Sequence, residues 1–173
     1  MIEREQAMDN HERQRLMDWW NTMEAARPMV RKLMSLTTEL RLHPASSNAN
    51  GIILFYRAAS EVSYGYAGVR GCIRRAFTEE YGDGLRMNMV KCHSFAEKFS
   101  EDMKVLLELV AKNIKDQEAL QIINRIRETL VENDEWLKEI KQRANAFFGR
   151  DTFHSLQKKV KDAVTLPKYE KKD

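Results

Sequence analysis

The sequence predicts an all-α, single-domain bundle of five to seven helices, and three observations carry that prediction. Apolar residues recur every three or four positions through most of the chain, which is the spacing of one helical face. The 7 glycines and 3 prolines among 173 residues mostly punctuate these periodic stretches. No stretch shows the apolar–polar alternation of a half-buried strand.

The stretch that organises the rest runs from about residue 52 to 81. Phe55, Ala59, Val62, Tyr66, Val69, Ile73 and Phe77 form one apolar seam, and Ala58, Gly65, Gly68, Cys72 and Ala76 form a row of small residues beside it. A helix with a bulky face and an adjoining small face buries about half its circumference, so this is the expected central helix. Gly65, Gly68 and Gly71 each cost up to about 1 kcal/mol relative to Ala inside a helix. Close approach of a neighbouring backbone is the expected reason; a kink or break at Gly65 is the alternative.

Taken in order, residues 2–26 read as a charged first helix with a sparse stripe of Met8, Leu16, Trp19 or Trp20, and Met23, partly detached from the body. Arg27-Pro28 is expected to break or restart it, because Pro favours a first helical turn. Met29, Val30, Leu33, Leu36 and Leu40 continue an apolar face to about Leu42, and His43–Gly51 is a Ser/Asn-rich loop. After the central helix, Tyr81-Gly82-Asp83-Gly84 reads as a turn. A helix over about 85–113 follows, with Met89, Cys92, Phe99, Met103, Leu106 and Val110 on its stripe. Asp116 suits the N-cap of the next helix. There Ile123, Ile126, Leu130, Leu137, Ile140, Ala144 and Phe147 keep a near-heptad spacing that Asn133 interrupts. Asn133 is read as a break or bend, the alternative being a buried polar residue that fixes register. Gly149 suits a helix C-terminus and Asp151 an N-cap for a short last helix carrying Phe153, Leu156 and Val160. The domain is expected to span 1–165, with 166–173 a mobile charged tail.

Composition narrows the function. The net charge of +3 disappears on mapping: residues 1–149 carry 22 Lys/Arg and 22 Asp/Glu, and residues 150–173 carry 7 and 4. Only a local cluster, not a global field, can attract a polyanion. No apolar run approaches the roughly 18–20 residues of a membrane span, and the start of the chain carries both signs of charge, unlike a secretory signal. No membrane contact is expected, and a cytosolic or nuclear setting is. Cys72 and Cys92 form no CxxC and read as small buried hydrophobes in a reducing compartment.

Catalysis needs a nucleophile with a base, paired carboxylates or a metal set. His11, His43, His93 and His154 lie in four separate segments, and Asp151 with His154 is a single carboxylate–histidine pair where di-iron bundles need two. Cys92 and His93 diverge by about 100° on a helix. The series Gly65, Gly68, Gly71 matches no nucleotide-binding fingerprint. A non-enzymatic protein without metal or cofactor is therefore expected.

Three features remain. Trp19, Trp20, Trp136 and Phe148 are bulky residues at or beyond the edges of core stripes, the composition of protein–protein hot spots. They make a helical interaction protein, including one that assembles with itself, the first reading. A stripe on the far side of the central helix places Arg70 and Arg74 with Tyr56, and Arg57 with Arg75 on the next edge. Arginines interleaved with tyrosines suit a nucleic-acid groove, with Lys158, Lys159 and Lys161 in support; a nucleoprotein subunit is the second reading. The same arginines on an ion-paired, solvated face are its ordinary alternative. A third reading is a small-molecule pocket lined by some of the 9 methionines.

Overall fold

The computed structural model describes residues 8–78 and 81–163, which form five α-helices. These are α1 (Asn10–Leu42), α2 (Ile52–Thr78), α3 (Asp83–Ala111), α4 (Gln117–Phe148) and α5 (Arg150–Ala163). Short connections fold α1 to α4 up and down into a ring in which α1 touches α2 and α4, and α3 touches α2 and α4. α5 turns back at Gly149, where φ is +86°, and lies on α3 and α4. The all-helical expectation holds among the described residues; the C-terminal tail lies outside them.

Two expected breaks are absent. α1 runs uninterrupted through Pro28, so its residues 10–26 are not a separate helix; residues 2–7 of the expected first helix lie outside the described residues. A proline inside a helix costs about 3 kcal/mol through a lost hydrogen bond and a clash. Here the stripe of Leu16, Trp19, Met23, Ala26, Met29, Leu33, Leu36 and Leu40 is buried on both sides of it. Apolar burial of this order, about 1.5–3 kcal/mol for each large side chain, outweighs the local penalty. Pro28 itself is exposed, where water can reach the carbonyl that it leaves without a donor.

α2 is likewise unbroken at Gly65, and its described helix ends at Thr78. A Cβ at Gly65 would lie 2.9 Å from the Ala96 Cβ and 2.9 Å from the Cys92 carbonyl oxygen. One at Gly68 would lie 2.5 Å from the Cys92 Sγ. The row of small residues therefore brings the α2 and α3 backbones close together. Gly71 is different, because a Cβ there would meet nothing within 4 Å.

α4 also runs straight through the position where a break is expected. Asn133 is fully buried and realises the alternative, a polar pin. The Tyr66 hydroxyl donates to Asn133 Oδ1 at 2.7 Å, Asn133 Nδ2 donates to Ser100 Oγ at 2.8 Å, and the Ser100 hydroxyl donates to the Ala96 carbonyl at 2.6 Å. Burial pushes the Tyr66 hydroxyl well above its ordinary value, so it stays a donor. The chain of bonds ties α2, α4 and α3 at one level, and sliding any of them would strand a buried polar group.

α5 docks through Phe153, Gln157 and Val160, all buried. Gln157 belongs to a stretch that reads as basic and solvated, yet its Nε2 donates to Glu97 Oε1 at 2.9 Å. Buried His93 lies 2.8 Å from the same carboxylate oxygen, and Lys141 reaches Glu97 Oε2 at 3.5 Å. The Phe153 ring meets His93 edge-on at 5.4 Å. Asp151, expected as the N-cap, sits instead within the first turn of α5.

Gly65→Ala should destabilise the fold by about 1–3 kcal/mol, the cost of overpacking a tight core. Gly71→Ala should stabilise it by about 0.5–1 kcal/mol, the helix-propensity gain at an open site. Urea unfolding of the two variants beside wild type measures both signs. Burial alone would raise the Glu97 carboxyl, but His93, Lys141 and Gln157 outweigh it and hold it at about 2. The unfolded chain titrates there near about 4.3. The contribution of Glu97 is therefore complete above that value and disappears as pH falls toward about 2. Stability measured across that window should fall less steeply in Glu97→Gln than in wild type; equal slopes would remove Glu97 as a source of acid sensitivity.

Candidate polyanion interface on the open seam

The ring of four helices has two extensive contacts, α2 with α3 and α1 with α4, and two lighter ones, α1 with α2 and α3 with α4. α5 lies over the α3–α4 seam. Among the described residues no element covers the α1–α2 seam, and its lining decides what the surface can do.

On the flank of α1 that faces α2, helical spacing aligns Trp20, Arg27, Arg31, Met34 and Arg41. On the facing flank of α2 it aligns Tyr56, Ser63, Ala67, Arg70 and Arg74. Between them is a recess of about 370 Å³. Its floor is Met23, Val30, Met34 and Tyr66, and its rim carries Arg27, Arg31, Arg70 and Ser63. The three arginines of the α1 flank span about 21 Å, at 1.5 Å per residue between Arg27 and Arg41, and Arg70 and Arg74 of α2 bring the row to five.

Glu24 is the carboxylate set among them. It pairs with Arg27 at 3.3 Å and closely with Arg70, and the Arg70 hydrogen bond holds its carboxyl below the usual range. Arg31, Arg41 and Arg74 have no carboxylate partner among the described residues. Instead, the Arg41 guanidinium lies over the Tyr56 ring at 4.2 Å, and Arg70 and Arg74 lie over the Trp20 ring at 4.9 and 5.8 Å. Cation–ring contact orders each guanidinium without neutralising it. The seam is thus a row of oriented positive charges over a partly apolar floor.

The residues that the sequence nominates divide sharply. Arg70, Arg74 and Tyr56 come together on this seam. Arg57 and Arg75 are exposed and fall toward the outer and α3-facing side of α2. Lys158, Lys159 and Lys161 are exposed on α5, which covers the other light seam, so they do not extend the arginine row. Trp19 is fully buried and meets Phe147 at 5.9 Å and Phe148 at 5.7 Å. Phe148 in turn stacks on Phe153 at 5.9 Å. These rings join α1, α4 and α5 inside the molecule, which removes Trp19 from any external contact surface. Trp20, Trp136 and Phe148 are half-buried against the core.

Arg27, Arg31 and Arg41 belong to the site and are missed by a reading centred on α2. Their shared flank is visible in the sequence only once α1 is known to be continuous through Pro28. Among the described residues, no three His, Cys, Asp or Glu side chains converge on a metal-sized site, and no helix is long and apolar enough to cross a membrane. Comparison with protein-family models, with curated proteins and with solved structures finds no match for this chain.

Proposed function

We propose that the protein is a non-enzymatic helical binding protein that holds a single-stranded nucleic acid along the α1–α2 seam, as one subunit of a nucleoprotein complex. The observation that supports this reading is the imbalance on the seam: among the described residues, five arginines are answered by Glu24, and three of them have no carboxylate partner. Guanidinium forks bind phosphate oxygens, and the row from Arg27 to Arg41 on one flank and Arg70 to Arg74 on the other follows a flexible backbone. The apolar recess between the rows suits an unstacked base, which a duplex does not offer without paying to extrude it. Because the contacts are to phosphate, the binding expected is salt-dependent and tolerant of sequence.

A labelled single-stranded oligonucleotide titrated by fluorescence anisotropy at several salt concentrations tests this. Micromolar or tighter binding is expected at low salt. Arg31→Ala/Arg74→Ala, which breaks no ion pair among the described residues, should reduce the magnitude of the log–log salt slope by about 1.4, at roughly 0.7 per lost phosphate contact on a single strand. Absence of binding at low salt, or an unchanged slope in the variant, would falsify the assignment.

A second reading, contact with a protein or with another copy, is favoured by the outer face of α2. Tyr64 is 71% and Ile53 66% exposed there, on the same stripe as Gly71, where an added Cβ would meet nothing within 4 Å among the described residues. If this face binds a second copy, sedimentation should give a concentration-dependent mass that reverts to monomer in Tyr64→Ser. A monomer at all concentrations removes self-association.

A further inference from the structure

The chain has 2 cysteines, and the fold brings them face to face across the tight α2–α3 seam. Both are free thiols, Cys72 buried and Cys92 half-buried. Asn88, one turn before Cys92, bridges the pair: its Nδ2 donates to Cys72 Sγ at 3.3 Å, and Cys92 Sγ donates to its Oδ1 at 3.8 Å. The space that the Cys92 sulfur occupies exists because residue 68 is glycine, whose Cβ would otherwise lie 2.5 Å from it.

This is not the surrounding of a cysteine used as a small hydrophobe. The Asn88 amide donates to the Cys72 sulfur and accepts from the Cys92 thiol, which marks Cys72 as the acceptor and Cys92 as the proton holder. The neighbouring Cys92 thiol, opposed by burial and helped by the Arg75 charge and by Asn88, brings the Cys72 thiol down to about 7; its partner moves in the opposite direction. Asn88, which bonds to both sulfurs, also lines an open surface groove of about 520 Å³ together with Arg75 and Lys91.

We infer that Cys72 and Cys92 are a peroxide-responsive dithiol that closes to an intramolecular disulfide between α2 and α3. The Cys72 thiolate attacks one peroxide oxygen; the S–O bond forms, the O–O bond breaks, and the departing hydroxide takes up a proton to leave as water. Cys92 then gives its proton to solvent and its sulfur attacks the Cys72 sulfenic sulfur. The S–S bond forms, the S–O bond breaks, and a second water leaves. Two thiols and one hydrogen peroxide give one disulfide and two waters, the sulfurs being oxidised and the peroxide reduced. This site lies on the α3 side of α2 and stands independently of the nucleic-acid reading.

The experiment treats the purified full chain with stoichiometric hydrogen peroxide, then denatures it under alkylating conditions for thiol counting and peptide mass analysis. The expected product is a monomer about 2 Da lighter, with no alkylatable thiol, the Cys72 and Cys92 peptides joined, and both thiols restored by a dithiol reductant. Asn88→Ala should slow closure by roughly tenfold, as the thiolate at Cys72 loses a donor. Cys92→Ser should stop at sulfenic acid or oxidise further at Cys72, with no cross-link. A chain that keeps two thiols, one that gains oxygen on sulfur without cross-linking, or one that links only between molecules overturns the inference.

Discussion

The close approach of α2 and α3 sets the geometry on which the rest of the molecule depends. Gly65 lies against Ala96 and the Cys92 backbone, and Gly68 lies against the Cys92 side chain, so these two helices meet with almost no side-chain layer between them. α1 and α4 are paired through bulk instead, with Trp19 against Phe147 and Phe148 at one end. A ring of four helices with two strong contacts on opposite sides leaves two lighter seams on the other sides. α5 covers the α3–α4 seam with Phe153, Gln157 and Val160. No described element covers the α1–α2 seam, and the arginines collect there. The open surface is therefore a consequence of where the small residues lie on α2, and not a separate construction.

Register within this frame is held by polar atoms more than by shape. Apolar side chains at helical spacing tolerate a shift of one turn, because the same stripe presents itself again after three or four residues. Asn133 does not tolerate it. Its amide accepts from Tyr66 on α2 and donates to Ser100 on α3, and both bonds are lost if α4 slides. The seams on either side of α4 add surface pairs: Lys32 with Glu132 toward α1, and Lys104 with Asp134 and Arg127 with Glu108 toward α3. Exposed pairs of this kind contribute only about 0–1 kcal/mol each, so they reinforce a register that the buried network has already selected.

Much of this was legible in the amino-acid pattern, and the failures have a common physical cause. The stripes on α2, α3 and α4, the loop over His43–Gly51, the Asp116 cap that accepts from the Ala119 backbone and the Gly149 terminus follow from local periodicity and capping chemistry. Pro28 and Asn133 read locally as breaks. Both sit within longer apolar stripes whose tertiary burial overrides a local cost, and local rules do not weigh burial by partners elsewhere in the chain. Trp19 and Trp20 diverge by about 100° on the helix. Spacing alone shows that they face different surroundings but not which is inside; packing puts Trp19 in the core and Trp20 beneath Arg70 and Arg74. The arginine row was half visible, because its second half lies on α1 and only the contact between helices brings the two flanks together. The thiol pair was invisible for the same reason: Cys72 and Cys92 are 20 residues apart in the sequence and meet only because α2 and α3 are antiparallel and close.

α2 thus carries different chemistry on its two flanks. Toward α1 it presents Arg70, Arg74, Ser63 and Tyr56 to an open seam. Toward α3 it presents Gly65, Gly68 and Cys72 to a closed one. A disulfide at Cys72 would lock the contact that is already tightest and leave the open seam free to accommodate a ligand. Substitutions on one flank should accordingly leave the other almost untouched, since residues without shared partners contribute nearly additively. The bulky stripe of Phe55, Val62, Val69 and Ile73, all buried, separates the two flanks along the whole length of the helix. It is this stripe, packed into the centre of the ring, that keeps the arginine-lined seam and the two cysteines apart on a single helix.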